Sequence, residues 1–266
     1  MKVVICIKQV ADKDARLKIN GAATWIEESE LAWAINEADL FALEEGLRLK
    51  EKHGGEVVLL SMGPARTQEA LRKALAMGAD RALHLDDPAF EGSDVATAAR
   101  IIAKAIARDG FDLALFGVQS DDLGSAQLAP RVAEHLGVPH AAIAMGIAVD
   151  AGSGTVTVKR ELDAGTLEVV ALNLPAVVSV QLGMNEVRYA SLKGIMAAKK
   201  KPIAAIKAAD LGLSAAQVGA AASRTQILKV GFPSAGEKGK AEIFGGPPAQ
   251  AVAALIEKLR KEAKVL

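Results

Sequence analysis

The chain has 266 residues, 51% of them hydrophobic, enough to bury one sizeable core with or without a terminal appendage. Its 32 basic and 32 acidic residues cancel and aromatic residues make up only 3%, so it has neither a basic face nor a set of stacking rings, and nucleic acid is excluded as a partner. A single cysteine, Cys6, excludes an internal disulfide framework and a multi-cysteine metal cluster, and fits a reducing, cytoplasmic setting.

The opening MKVVICIKQV lacks the length and small-residue cleavage site of a secretory signal and reads as a first strand, Val3–Lys8. No stretch reaches the roughly 18 uninterrupted apolar residues of a spanning helix, so no membrane insertion is expected. Three further apolar, β-rich runs follow: Glu56–Met62, Arg81–Leu85 and Leu113–Val118. Between them NEADLFALEEGLRLKEKHG, RTQEALRKALAMG and SDVATAARIIAKAIARDG place apolar residues near i, i+3, i+4 and i+7, with glycine at or just past each end. Such alternation predicts a doubly wound, mostly parallel α/β sheet of Rossmann-like type, with a ligand bound in the loops after the strand ends. Past Pro139 four strands are expected, Ala141–Val149, Thr155–Glu161, Thr166–Leu174 and Ala176–Gln181, as an antiparallel extension with a hairpin turn at Asp163–Gly165.

The next stretch, VRYASLKGIMAAKKKP at 187–202, presents Tyr189, Leu192, Ile195 and Met196 in a loop whose Lys199–Lys201 tail reads as solvated charge. From 203 onward the chain is alanine- and lysine-rich, with GFPSAGEKGKAEIFGGPP as a loop and PAQAVAALIEKLRKEAKVL as an amphipathic helix. This arm either packs back on its own domain or embraces a partner subunit. The expected divisions are therefore 1–186, 187–202 and 203–266.

Few residues advertise catalysis. His53, His84, His135 and His140 show no metal-ligand spacing, Cys6 sits inside a strand, and no nucleophile elbow, zinc-helix motif or P-loop occurs. Two glycine-bearing loops say more: SMGPAR (Ser61–Arg66) and FGVQSDDLGSAQLAP (Phe116–Pro130) each join a strand to a helix and present free amides at a helix N-terminus, which suits phosphate. Asp121 and Asp122 oppose an anion there unless their side chains cap amides or bind a ribose. Asn36 opens a helix at the same edge and suits either a ligand or an N-cap. Arg160–Glu161 is either a solvated hairpin tip or an ion pair reaching a partner.

Several segments together resemble the beta (small) subunit family of electron transfer flavoproteins: INEADLFALEEGLRLKE (Ile35–Glu51), ALAMGADRALHL (Ala74–Leu85), VKRELDAGTLEV (Val158–Val169), LPAVVSVQLGMNEVRYASLKGIMAAKKKPI (Leu174–Ile203) and DLGLS (Asp210–Ser214). The resemblance implies a heterodimer with an alpha subunit that holds most of the redox FAD and passes electrons from flavoprotein dehydrogenases to a quinone reductase or another acceptor. The beta subunit is then a carrier component rather than an enzyme by itself. It implies a structural AMP held by Cys6, Asn36, Met62 and the loop residues Gly117, Val118, Gln119, Ser120, Asp121, Asp122, Leu123, Gly124, Ser125, Ala126, Gln127 and Leu128. It implies that 187–202 is a partner-recognition loop with Leu192 as anchor, that Glu161 pairs with an arginine in the complex, and that 203–266 packs on the alpha subunit. Lys13 stands where some members carry an aromatic residue near the flavin. Leu128 stands where many AMP binders carry threonine and resembles the bifurcating members, which bind a second FAD and use NADH; AMP is the expectation here, and the second FAD its alternative.

Overall fold

A computed structural model of the chain describes residues 1–233 and 241–266. Its first strand, β1 (Lys2–Cys6), is continuously apolar because both faces are covered: Val3 and Ile5 enter one core, Val4 and Cys6 the other. The elements that follow are β2 (Gln9–Ala11), β3 (Trp33–Ile35), α1 (Glu37–His53), β4 (Glu56–Met62), α2 (Thr67–Met77), β5 (Arg81–Leu85), α3 (Val95–Asp109), β6 (Leu113–Gly117) and α4 (Leu128–Leu136). After them come β7 (His140–Asp150), β8 (Thr155–Glu161), β9 (Leu167–Asn173), β10 (Ala176–Val180), α5 (Leu192–Ala198), β11 (Ile203–Ile206) and the short α6 (Gly219–Ala222).

Nine strands form one sheet in the order β11-β5-β4-β1-β6-β10-β7-β8-β9. Every pairing from β11 to β7 is parallel, and β8 and β9 add the antiparallel end. Leu43 and Leu47 of α1 and Leu71 and Leu75 of α2 fill the core on one face; Ile102 and Ile106 of α3 and Val132 of α4 fill the other. Helices thus wind onto both faces, and the winding reverses beside β1, between β4 and β6. A small antiparallel pair, β2 with β3, stands at the carboxyl end of β1.

The expected elements are found where the periodicity puts them, with four differences. Ala176–Gln181 belongs not to the antiparallel extension but to the parallel section: β10 lies between β6 and β7, parallel to both, and all five of its residues are buried. The run 187–202 is not a plain loop, since it contains α5, started by Ser191, whose Oγ accepts from the Gly194 amide at 3.0 Å. Lys201 is not a solvated charge: α2 has no basic residue in its last turn, and Lys201 Nζ supplies the missing donor to the carbonyls of Leu75 (3.0 Å) and Ala79 (2.6 Å). Residues 203–206 are not part of an irregular arm but form β11, a sheet edge paired with β5, and the first compact unit runs from Met1 to Leu228.

Lys229–Leu266 form a second unit. Its helix α7 (Pro248–Lys258) continues into a π-helical turn, Leu259–Ala263, and α7 has no buried residue. Residues 234–240 of the expected GFPSAGEKGKAEIFGGPP loop lie outside the described residues. No helix among the described residues is long and apolar enough to cross a membrane.

Leu59 of β4 is fully buried in the core that faces α1 and α2. Leu59→Ala is expected to lower the unfolding free energy by about 2–5 kcal/mol in denaturant titration, the range for a cavity left in a packed core.

Candidate functional site

The reversal of winding leaves a cleft at the carboxyl ends of β1, β4 and β6, closed by the first turns of α1, α3 and α4. Its walls bring together residues far apart in the chain: Cys6, Ile7 and Lys8; Asn36 and Asp39; Leu60, Ser61 and Met62; Ser93, Asp94 and Val95; and the run from Phe116 to Ser120. Ala98 and Ile102 of α3 add an apolar wall, and Leu123, Ser125, Ala126, Gln127 and Leu128 add the lip. Of the residues singled out from the sequence, Cys6, Asn36, Met62, Gly117, Val118, Gln119, Ser120, Leu123, Ser125, Ala126, Gln127 and Leu128 line this cleft; Asp121, Asp122 and Gly124 belong to the loop without lining it.

The two aspartates are engaged within the chain. Asp121 Oδ2 accepts from the Glu37 amide at 3.2 Å and so caps α1, while Asp122 pairs with Lys8 at 2.6 Å. Asn36, only 1% exposed, stands at the N-cap position but does not cap: its Nδ2 donates to Gln119 O and its Oδ1 accepts from the Asp121 amide, both at 2.9 Å. It ties the loop to the helix instead. Among the described residues, the amides of Ser125, Ala126 and Gln127 have no acceptor within the chain, and α4 has no side-chain cap. The lip therefore offers three free donors at a helix N-terminus. Ser61, 2% exposed, has a hydroxyl with no protein partner, and it too lines the cleft. Together these groups suit a phosphate at the lip and a planar, partly polar ring against the apolar wall.

Asp39, Lys8 and Asp94 were not singled out from the sequence, and Ser61 only as the first residue of the SMGPAR loop. Asp39 is the most consequential: it accepts from the Lys8 amide at 2.8 Å and the Gly117 amide at 3.0 Å, so one carboxyl group bridges the strand ends on either side of the cleft. Gly117 must be glycine for this, since a Cβ there would stand 2.3 Å from Asp39 Oδ1. The legible signal was an acid on the apolar stripe of α1, between Ala38 and Ala42. At the start of α3, burial alone would raise the Asp94 pKa, but the amides of Thr97, Arg224 and Thr225 outweigh it and hold the carboxylate at about 2. Burial pushes the Cys6 thiol well above its ordinary range, in keeping with an inert residue. His84 is fully buried, with Nε2 2.9 Å from Gly63 O. No group of three His, Cys, Asp or Glu residues suited to a metal occurs among the described residues.

The expected partner residues lie elsewhere. Tyr189, Leu192 and Met196 are 97%, 84% and 65% exposed on and before α5, and Ile195 is exposed beside them. Glu161, at the end of β8, accepts from Gln181 Nε2 at 3.2 Å, while Arg160 pairs across the hairpin with Glu168 at 3.2 Å.

Fold and cleft define a doubly wound α/β protein with an open cleft at the switch point of a mostly parallel sheet. Comparison with known proteins is specific: the family model described as electron transfer flavoprotein domain matches residues 23–211. The electron transfer flavoprotein subunit beta of Methylophilus methylotrophus is 39% identical over 259 residues, covering 97% of each chain. The protein of that name from Thermoanaerobacterium thermosaccharolyticum is 34% identical over 260 residues, 97% of this chain and 98% of that one. Its counterpart in Mycobacterium leprae is 37% identical over 254 residues, 92% of this chain and 94% of the other. The chain belongs to the electron transfer flavoprotein beta-subunit family.

Burial raises the Asp39 pKa to about 7 against the lowering effect of the Lys8, Asn36 and Gly117 hydrogen bonds. From pH about 4 to about 7 the folded chain keeps a proton that the unfolded chain releases, so this residue makes stability fall as pH rises through that window. Asp39→Asn is expected to flatten that part of a stability-versus-pH curve measured by urea unfolding; an unchanged slope would assign the titration to another group.

Proposed function

We propose that this chain completes a two-chain electron carrier by holding AMP in the switch-point cleft and by docking flavoprotein dehydrogenases through the apolar side chains around α5. The observation that carries the nucleotide assignment is the set of unpartnered amides at Ser125, Ala126 and Gln127, in a loop whose two carboxylates are already occupied by Lys8 and the α1 amide. Those amides receive the phosphate, the Ser61 hydroxyl faces the nucleoside, and Ala98, Ile102 and Met62 cover the base. Leu128 carries no hydroxyl, so phosphate binding rests on backbone donors, which need no particular side chain.

The AMP is structural, and FAD, held mainly by an alpha subunit, supplies the redox chemistry. Lys229–Leu266 packs on that subunit, in keeping with an α7 that has no buried residue and with Ile243 88% exposed. Leu192 enters an apolar pocket of the dehydrogenase. Burial of one leucine is worth about 1.5–3 kcal/mol, enough for a transient hold and weak enough for release after each transfer. Glu161 pairs with an arginine of the complex, and electrons leave to a quinone reductase or another acceptor.

Acid extraction of the purified heterodimer and chromatography of the released nucleotides is expected to give one AMP and one FAD; two FAD and no AMP would replace this assignment with that of a bifurcating, NADH-using subunit. Leu192→Ala is expected to lower kcat/KM for reduction by a flavoprotein dehydrogenase of the same cells by about tenfold or more, the equivalent of the lost burial, with the flavin spectrum intact. Unchanged kinetics would remove Leu192 from the docking surface.

A further inference from the structure

Leu192 is exposed, yet the backbone that carries it is held at three places. At the entrance to α5, Glu44 has a side chain only 3% exposed and is met by four donors: Arg48 Nε at 2.8 Å and, from Arg188, the amide at 3.2 Å, Nε at 2.7 Å and Nη2 at 3.0 Å. Arg188 also reaches Glu51, and Asn185 Nδ2 donates to Phe41 O at 3.1 Å. In the middle, Gly194 lies against the end of α2 so closely that a Cβ would stand 2.3 Å from Ala76 O. At the exit, Arg72 Nη1 donates to Ala198 O at 2.7 Å and to Lys201 O, and Lys201 returns to the α2 carbonyls.

A carboxylate beside Leu43 and Leu47 is tolerated only when its lone pairs are occupied, and Arg188 occupies most of them. A guanidinium fork satisfies a carboxylate in few geometries, whereas an apolar contact tolerates sliding. The pair therefore fixes the point at which residues 185–188 cross α1. Immobilising the backbone beforehand, with the contact side chains left free, reduces the ordering that a partner must impose on binding.

We propose that Arg188 and Glu44 are positioning residues for docking: their ion pair, buried at the Glu44 end, fixes where residues 185–188 cross α1 and so the place at which Leu192, carried on α5 against α2, meets the dehydrogenase. This rests on the docking role of Leu192 proposed above, and the experiment separates the two.

The heterodimer is prepared with Arg188→Lys, Glu44→Gln, Leu192→Ala and the Arg188→Lys/Leu192→Ala double change. Each is assayed as the electron acceptor of a flavoprotein dehydrogenase from the same cells, and amide hydrogen exchange is followed in parallel. Arg188→Lys is expected to raise KM about threefold to tenfold, the size of an ordering cost newly imposed on binding, with kcat and flavin content unchanged. Exchange should quicken at 192–198 and not in β1, β4 or β6, and Glu44→Gln should act in the same direction. In the Leu192→Ala background Arg188→Lys should add nothing, because there is no anchor left to position. An equal KM effect in both backgrounds, faster exchange across the whole sheet, or an unchanged KM for Arg188→Lys beside a raised KM for Leu192→Ala would each overturn the positioning role while leaving Leu192 in place. A Leu192→Ala protein with unaltered kinetics would overturn the docking role and the positioning role with it.

Discussion

Two acids buried on one helix organise this molecule. Helix α1 packs Leu43 and Leu47 against the sheet and also carries Asp39, 6% exposed, and Glu44, 2% exposed, on different sides. Neither carboxyl group can leave water without hydrogen-bond partners. Asp39 takes its partners from the ends of β1 and β6, which holds those two strands at the spacing the cleft requires. Glu44 takes Arg188, from a segment more than a hundred residues further on, which lays that segment across the helix. One helix thus connects the site proposed for the nucleotide with the segment proposed to dock a partner.

Charge placement explains how a loop bearing two adjacent aspartates suits an anion. Asp121 is spent on the first turn of α1 and Asp122 on Lys8, while the amides of Ser125, Ala126 and Gln127 at the lip have no acceptor among the described residues. The buried Ser61 hydroxyl adds a donor or acceptor on the opposite wall. The site proposed for the phosphate thus rests on backbone groups rather than on a reactive side chain.

Sequence periodicity located the helices and most strands because their apolar patterns are set by burial on one or both sheet faces. It placed Ala176–Gln181 in the wrong neighbourhood, since strand order depends on long-range pairing and a continuously apolar run is compatible with many positions; only its burial on both faces distinguishes a central strand. The strand at Ile203–Ile206 was missed because its alanines are exposed at a sheet edge and look like the alanine-rich arm that follows. Lys201 looked like part of a solvated lysine tail because the carbonyls at the end of α2 and just beyond it that it meets lie more than a hundred residues away. Of the site, the glycine-bearing loop and Asn36 were legible as strand-to-helix junctions. Asp39 was not, because a buried acid is recognised by its partners, and those come from the ends of β1 and β6.

In the proposed complex a phosphate rests on the amides of 125–127, between strand ends held together by Asp39. A crystal structure of the purified complex with its alpha subunit tests this directly. The account predicts AMP density in the cleft between β1 and β6, its phosphate within hydrogen-bonding distance of those amides and its base against Ala98 and Ile102. An isoalloxazine ring in that cleft, or amides turned away and paired within the chain, would contradict it.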